Sequence, residues 1–178
     1  MGNQNLTEKQ KAVVDTLKSI NDEQVISLIQ EFREKGDLFI VEPLIELLYS
    51  KRSYSLKEAI IEFIGDIKNQ DAAVIITHSI QKHLGDPNTT GLVSACWQSI
   101  LDFSDEIPLF IDILCNGDYL ASFEAFTVIE NSIGSISLNN IDLYIATIES
   151  RLKDASIEKQ SLLTETIVMF ESFKRSNS

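Results

Sequence analysis

Residues 37–48, with the sequence Asp37-Leu-Phe-Ile-Val-Glu-Pro-Leu-Ile-Glu-Leu-Leu48, decide the fold of this chain, because the end of the segment recurs. The pentapeptide at positions 44–48 aligns with those at 76–80, 110–114 and 144–148, and the copy at 76–80 is the weakest. The starting positions 44, 76, 110 and 144 are separated by 32, 34 and 34 residues. A constant period of this length is typical of stacked helical repeats. The period therefore predicts a repeat array.

A second helix is predicted after the first one in each repeat. Residues 55–67 carry apolar side chains at the spacing of one helix face. The pair Ala59 and Phe63 returns 66 residues later, at Ala125 and Ile129. That distance is close to two repeat steps, so two repeats match in both of their helices.

Capping residues predict where about ten helices begin and end. Pro43 is expected to bend the helix that contains it, because proline removes a backbone donor. The predicted helix starts include Thr7 with Gln10 as a capping box, Ser55 with Glu58, a start near Thr90, and either Asn140 or Asp142; Gly36 is a predicted helix end.

The chain is predicted to be all-α, with about five antiparallel helix pairs in a single domain spanning residues 1–178. Residues 1–36 are expected to form a divergent N-terminal capping hairpin, because terminal repeats need a polar outer face. The repeats occupy residues 37–173, and the tail 174–178 is expected to fray. Gly (7) and Pro (3) are scarce, which also favours helices.

The clearest repeat resembles a HEAT repeat of the short bacterial type. The segment Gly36-Asp37, followed by Val41-Glu42-Pro43-Leu44-Ile45-Glu46-Leu47-Leu48, looks like its first helix. Residues 55–67 resemble its second helix, including Ala59 and Gly65. Lys51-Arg52-Ser53 stands where the family has Asp-Val-Arg. The resemblance covers roughly residues 37–173, and it implies a right-handed α-solenoid whose second helices line a concave, protein-binding face.

Net charge limits the partners that the chain can have. The 178 residues carry a formal charge of -12, which repels nucleic acid and anionic membranes and attracts basic proteins. No apolar run approaches the roughly 20 residues that a membrane span needs. The N-terminus lacks the apolar region of a signal peptide. We therefore expect a cytoplasmic protein that binds neither nucleic acid nor membranes.

Basic residues are missing from the middle of the chain. No Lys or Arg occurs between Lys82 and Arg151, an interval that holds ten acidic residues. This acidity either keeps the protein soluble or forms a docking face for a basic protein. Glu58, Glu62 and Asp66 lie four residues apart, a spacing at which like charges repel. The candidate partner-binding residues are Glu58, Glu62, Asp66, Asp102, Glu124 and Glu130.

Catalytic and metal-binding signatures are weak. The carboxylates are scattered along helices, and no nucleophile elbow or phosphate-binding loop occurs. His78 and His83 are five residues apart, so they point to different helix faces and are not expected to bind a metal. Cys96 and Cys115 lack metal-ligand spacing; we expect two buried apolar side chains, and a disulfide between them stays open. We expect no enzymatic activity and no cofactor.

Three functions follow from these patterns. The first is a non-catalytic scaffold or adaptor that docks a basic protein on an acidic face. The second is an immunity or inhibitor protein that neutralises a cationic toxin, which the charge alone suggests. The third, which the resemblance allows, is a HEAT-like enzyme of the bilin-lyase type. Trp97 and Tyr144 are expected in the core, with partner anchors as the alternative. The oligomeric state is not predicted.

Overall fold

The computed structural model describes residues 6–35 and 37–177, which form ten α-helices and no β-strand. The all-α prediction is confirmed for this part of the chain. Gly36, a predicted helix end, lies outside the described residues. The helices are α1 (Glu8–Ser19), α2 (Asp22–Lys35), α3 (Val41–Leu48), α4 (Tyr54–Gly65), α5 (Ala72–Lys82), α6 (Pro87–Gln98), α7 (Ile107–Asn116), α8 (Tyr119–Ser132), α9 (Leu138–Leu152) and α10 (Ile157–Ser176).

The helices pack against their neighbours in two rows. In the first row, α1 contacts α3, α3 contacts α5, and α7 contacts α9. In the second row, every even-numbered helix contacts the next one, from α2 to α10. The contact between α5 and α7 is weaker than that of any other neighbouring pair in the two rows. None of the described helices combines the length and apolar character that crossing a membrane requires.

The four recurring pentapeptides lie within α3, α5, α7 and α9. Their first and last residues are buried in every copy, and they belong to one hydrophobic core. The predicted spacing thus coincides with a recurring pattern of burial. These buried residues are Leu44 and Leu48, Ile76 and Ile80, Phe110 and Leu114, and Tyr144 and Ile148.

Helix starts were predicted less well than the repeat. The capping box of Thr7 and Gln10 is present. The prediction that Ser55 caps α4 is wrong. The Ser53 side chain accepts the Leu56 N–H, and α4 begins at Tyr54, directly after Ser53. Pro87, not Thr90, opens α6, capped by Asp86. The helix expected to start at Asn140 or Asp142 begins at Leu138.

Two other expectations also need correction. Pro43 lies in the first turn of α3, where backbone N–H groups have no partner within the helix, so its missing donor costs little. A 3₁₀ turn at Leu38–Ile40 leads directly into this helix. The tail, expected to fray from residue 174, is helical to Ser176, and Lys174 forms an exposed ion pair with Asp142 of α9.

Arg52 joins the first helix pair to the second. Its guanidinium donates to the Leu17, Lys18 and Ile20 carbonyls at the C-terminal end of α1, at 3.3, 3.1 and 2.8 Å. It also pairs with Asp22 at 3.0 Å. Hydrogen bonding from Ser53, reinforced by Arg52, lowers the pKa of Asp22. One planar side chain thus satisfies carbonyls that a helix end leaves unpaired.

We expect Arg52→Lys to lower the free energy of unfolding by about 1 to 3 kcal/mol, because a lysine cannot reach four acceptors in one plane. Urea unfolding followed by circular dichroism measures this change. Lys51→Ala is the control, because Lys51 is the exposed neighbour of Arg52 and should change stability by less than about 0.5 kcal/mol. Equal stability of both variants would contradict the assigned role of Arg52.

Gly85 makes the turn between α5 and α6. Its φ of 88° lies in the left-handed region, which residues with a Cβ atom rarely adopt. A Cβ atom added at Gly85 would meet no other heavy atom within 4 Å. The cost of a side chain at this position is therefore conformational and not a matter of space.

Gly85→Ala is expected to destabilise the protein by about 1 to 2 kcal/mol, the cost of a left-handed alanine. Gly134→Ala is the matched control. Gly134 also has open space around its missing Cβ, but among the described glycines only Gly85 has a positive φ. The control should be neutral or stabilising by up to about 1 kcal/mol. Thermal unfolding of both variants checks the difference, and a neutral Gly85→Ala would disprove it.

Candidate functional site

Three of the six predicted binding residues lie on α4, and two of them are already paired. Arg33 of α2 binds Asp66 and also Glu62, the latter at 3.4 Å. Glu58 interacts instead with the Tyr54 hydroxyl, and this hydrogen bond raises the pKa of Tyr54. The repulsion expected from the four-residue spacing is thus offset by a cation. The spacing has a structural explanation that requires no partner.

Asp102 fixes a loop rather than presenting a free charge. Its backbone N–H donates to the Gln70 side chain at 2.9 Å, and its carbonyl accepts from the same amide at 2.6 Å. Its carboxylate accepts the Ser104 N–H at 2.9 Å. Gln70 lies before α5 and Asp102 before α7. The pair therefore links the beginnings of two helices one repeat apart.

The two predicted residues on α8 differ in their surroundings. Glu124 accepts the indole N–H of Trp97, on α6, at 2.5 Å. Asn131 donates to the Trp97 carbonyl at 3.2 Å in the same contact between helices. Trp97 is half-buried against the core, and Tyr144 is buried, so both contribute to packing as expected. Glu130 is exposed, and its carboxylate makes no hydrogen bond within the described residues.

The six residues therefore do not meet at one site. They lie on α4, on the loop before α7 and on α8, and α6 packs between α4 and α8. Three of them stabilise contacts between helices through a carboxylate, and Asp102 does so through its backbone. Within the described residues, the carboxylates of Glu58, Asp102 and Glu130 have no hydrogen bond or ion pair to a neighbouring helix.

A larger acidic feature lies where α5 and α7 diverge. The groove between them has a volume of about 500 Å³. The exposed face of α5 forms one wall with Val74, His78 and Gln81, and the start of α7 forms the other. A second cleft of about 340 Å³, between the turns after α5 and α7, shares two of its lining residues. The two shared residues are Leu84 and Asp112, so the clefts adjoin at these side chains.

The groove carries negative charge and no compensating base. Asp105, Glu106 and Asp112 line it, and none of the described residues that line either cleft is Lys or Arg. Lys82, the only lysine of α5, is bound to Glu46 of α3 at 2.6 Å. Asp112 has a neutral partner, the Asn116 amide at 2.7 Å. The groove thus combines exposed aliphatic side chains with three carboxylates. In the second cleft, Lys159 of α10 donates to the Gly117 carbonyl at 2.8 Å and interacts electrostatically with Asp118.

The sequence signalled the charge of this groove but not its location. Asp105, Glu106 and Asp112 belong to the interval without Lys or Arg. The binding residues predicted from the sequence lie on predicted second helices and do not include these three. The structure places them at the first-helix row, where two neighbours diverge. No local pattern in the sequence reports such a gap between helices.

The histidines and cysteines have separate environments. His78 lies in the groove wall, whereas His83 stacks on Tyr49 with ring centroids 3.7 Å apart. Burial raises the pKa of Tyr49 to about 12. Cys96 is buried and Cys115 half-buried, and both thiols are free. Among the described residues, no three His, Cys, Asp or Glu side chains are grouped as metal ligands.

Comparisons with family models, curated proteins and solved structures find no significant match to this chain. The resemblance to HEAT repeats therefore remains a prediction from the quoted segments.

Glu124→Ala is expected to lower the free energy of unfolding by about 1 to 3 kcal/mol, because it leaves the half-buried Trp97 N–H without its acceptor. Glu124→Gln keeps an acceptor oxygen and should lose less. Urea unfolding followed by Trp97 fluorescence is the measurement.

Glu130→Ala is the control on the same helix, because Glu130 is exposed and makes no contact of this kind. It should change stability by less than about 0.5 kcal/mol. Equal losses for Glu124→Ala and Glu130→Ala would show that the Trp97 contact is not stabilising.

Proposed function

We propose that this protein is a non-catalytic scaffold that binds a basic protein partner through its acidic central repeats. The observation that carries the proposal is the groove between α5 and α7, which lies in the interval without Lys or Arg. Carboxylates without nearby cations produce a negative potential that attracts a basic partner and speeds its association. The aliphatic side chains beside them supply apolar area for a specific complex.

We also propose that the helix pairs form an α-solenoid of the HEAT type. Two rows of helices, each contacting mainly its sequence neighbours, support this arrangement. Polar contacts between side chains about one repeat apart support it too, such as Arg33 with Asp66 and Gln70 with Asp102. An array of this kind offers extended surfaces for proteins instead of an enclosed catalytic pocket. The proposal includes no cofactor and no nucleic acid.

The proposal predicts a saturable, salt-sensitive complex with a basic protein. The protein is immobilised and exposed to lysate of its native cells at low and high salt, and retained proteins are identified by mass spectrometry. The partner is then purified, and its association rate is measured. Asp105→Asn, Glu130→Gln and Glu149→Gln together should slow association about tenfold, because these carboxylates steer the encounter.

The matched control removes three charges from α10, outside the interval: Glu158→Gln, Glu165→Gln and Glu171→Gln. All three side chains are exposed. This control should associate nearly as fast as the wild type. If no basic protein is retained, or if retention does not depend on salt, the scaffold proposal is wrong.

A further inference from the structure

The first-helix row opens between α5 and α7, although the neighbouring second helices α6 and α8 pack closely. α3 packs on α5, and α7 packs on α9, so the opening is confined to one position in the row. The groove occupies this opening and adjoins the cleft between the two following turns at Leu84 and Asp112. The groove and the adjoining cleft, called the channel below, extend over about the length of α7, roughly 15 Å at 1.5 Å per residue.

The channel displays aliphatic side chains that have no other element to cover them. Val74 is 63% exposed and Leu84 is 45% exposed, and both line the groove. Leu109 packs partly on the core beside them. A ligand that buried these side chains would gain roughly 25 cal/mol for each Å² removed from water. A purely hydrophilic basic chain could not use this area.

Carboxylates are found along the whole channel. Asp105 and Glu106 lie at the start of α7, and Asp112 lies where the two clefts join. Asp86 and Asp118 line the second cleft, and each caps a helix by accepting a backbone N–H at 2.8 Å. Their positions are therefore fixed. In the groove the carboxylates lie on the α7 side, so a complementary ligand carries its cations on the side that faces α7.

The walls of the channel also determine the secondary structure of its ligand. α5 and α7 are helices, so the backbone groups along their lengths are hydrogen-bonded internally. An extended peptide would find no strand edge with which to pair. A helix satisfies its own backbone groups and can place a ridge of side chains between two others.

We propose that the channel between α5 and α7 binds a basic amphipathic helix of the partner protein. The inference rests on the proposed scaffold function and specifies its site. Apolar side chains at positions i, i+4 and i+7 of the partner helix cover Val74 and Leu84. Lysine or arginine side chains flanking this ridge pair with Asp105, Glu106 and Asp112.

The test uses a synthetic peptide and the full-length protein. The probe is a fluorescent peptide of about 14 residues, roughly 20 Å as a helix, with leucines at i, i+4 and i+7 flanked by lysines. A second peptide has the same composition in scrambled order, and a third has serine in place of leucine. Fluorescence anisotropy gives the Kd of each peptide at several salt concentrations.

We expect the amphipathic peptide to bind at least tenfold more tightly than the other two. Asp105→Asn, Glu106→Gln and Asp112→Asn together should weaken binding about tenfold or more and reduce its salt dependence. Val74→Ser with Leu84→Ser should weaken binding about tenfold and leave the salt dependence unchanged. The triple variant on α10 (Glu158→Gln, Glu165→Gln, Glu171→Gln) should bind like the wild type. Circular dichroism confirms that each variant is folded.

The inference would be overturned if the three peptides bound with equal Kd. It would also be overturned if the groove and α10 triple variants lost the same affinity, because the peptide would then be attracted by net charge and not by the groove. The captured partner distinguishes this failure from failure of the scaffold function. If a basic partner is captured and the groove variants bind it normally, the channel inference is wrong and the scaffold function stands. If no basic partner is captured, the scaffold function itself is wrong.

Discussion

Each helix pair in this protein can bury its apolar face only against the pairs beside it, and the rest of the structure depends on that constraint. Polar contacts between pairs follow the same rule. Arg33 and Asp66 are 33 residues apart, Gln70 and Asp102 are 32 apart, and Lys174 and Asp142 are 32 apart. These separations match the period of the buried pentapeptides. Burial and hydrogen bonding therefore follow the same spacing. A shift of one helix pair by one residue relative to the next would disrupt both.

The chemistry of these contacts changes along the chain. Near both ends the donors are cations: Arg33 and Arg52 near the beginning, Lys174 near the end. In the middle, neutral donors also take part: Gln70 holds Asp102 and the indole of Trp97 holds Glu124, beside the lysine contacts of Lys82 and Lys159. Contacts between helix pairs thus persist where lysine and arginine are missing. The packing of the centre does not require its acidity to be neutralised, so the carboxylates around the groove remain available for a partner.

The sequence predicted the features that depend on periodicity. The buried ends of the repeats, such as Leu44 and Phe110, follow from spacing alone, because burial recurs with each helix pair. Helix starts depend instead on which oxygen reaches a free N–H, and Ser53 and Ser55 are equally good caps by residue type. The groove depends on contacts between residues still further apart in the sequence. Its charge is visible in the sequence, but the divergence of α5 from α7 is a property of how two pairs pack.

That divergence also explains why the groove lies on the first-helix row. The third and fourth pairs approach closely through α6 and α8, where Asn131 bonds to the Trp97 carbonyl. When two pairs pack tightly on one row and less tightly on the other, a wedge opens on the second row. Side chains such as Val74 and Leu84, which would pack between α5 and α7 in a uniform array, are left exposed there. The opening removes some burial from the array, and it provides the surface that a partner helix can cover.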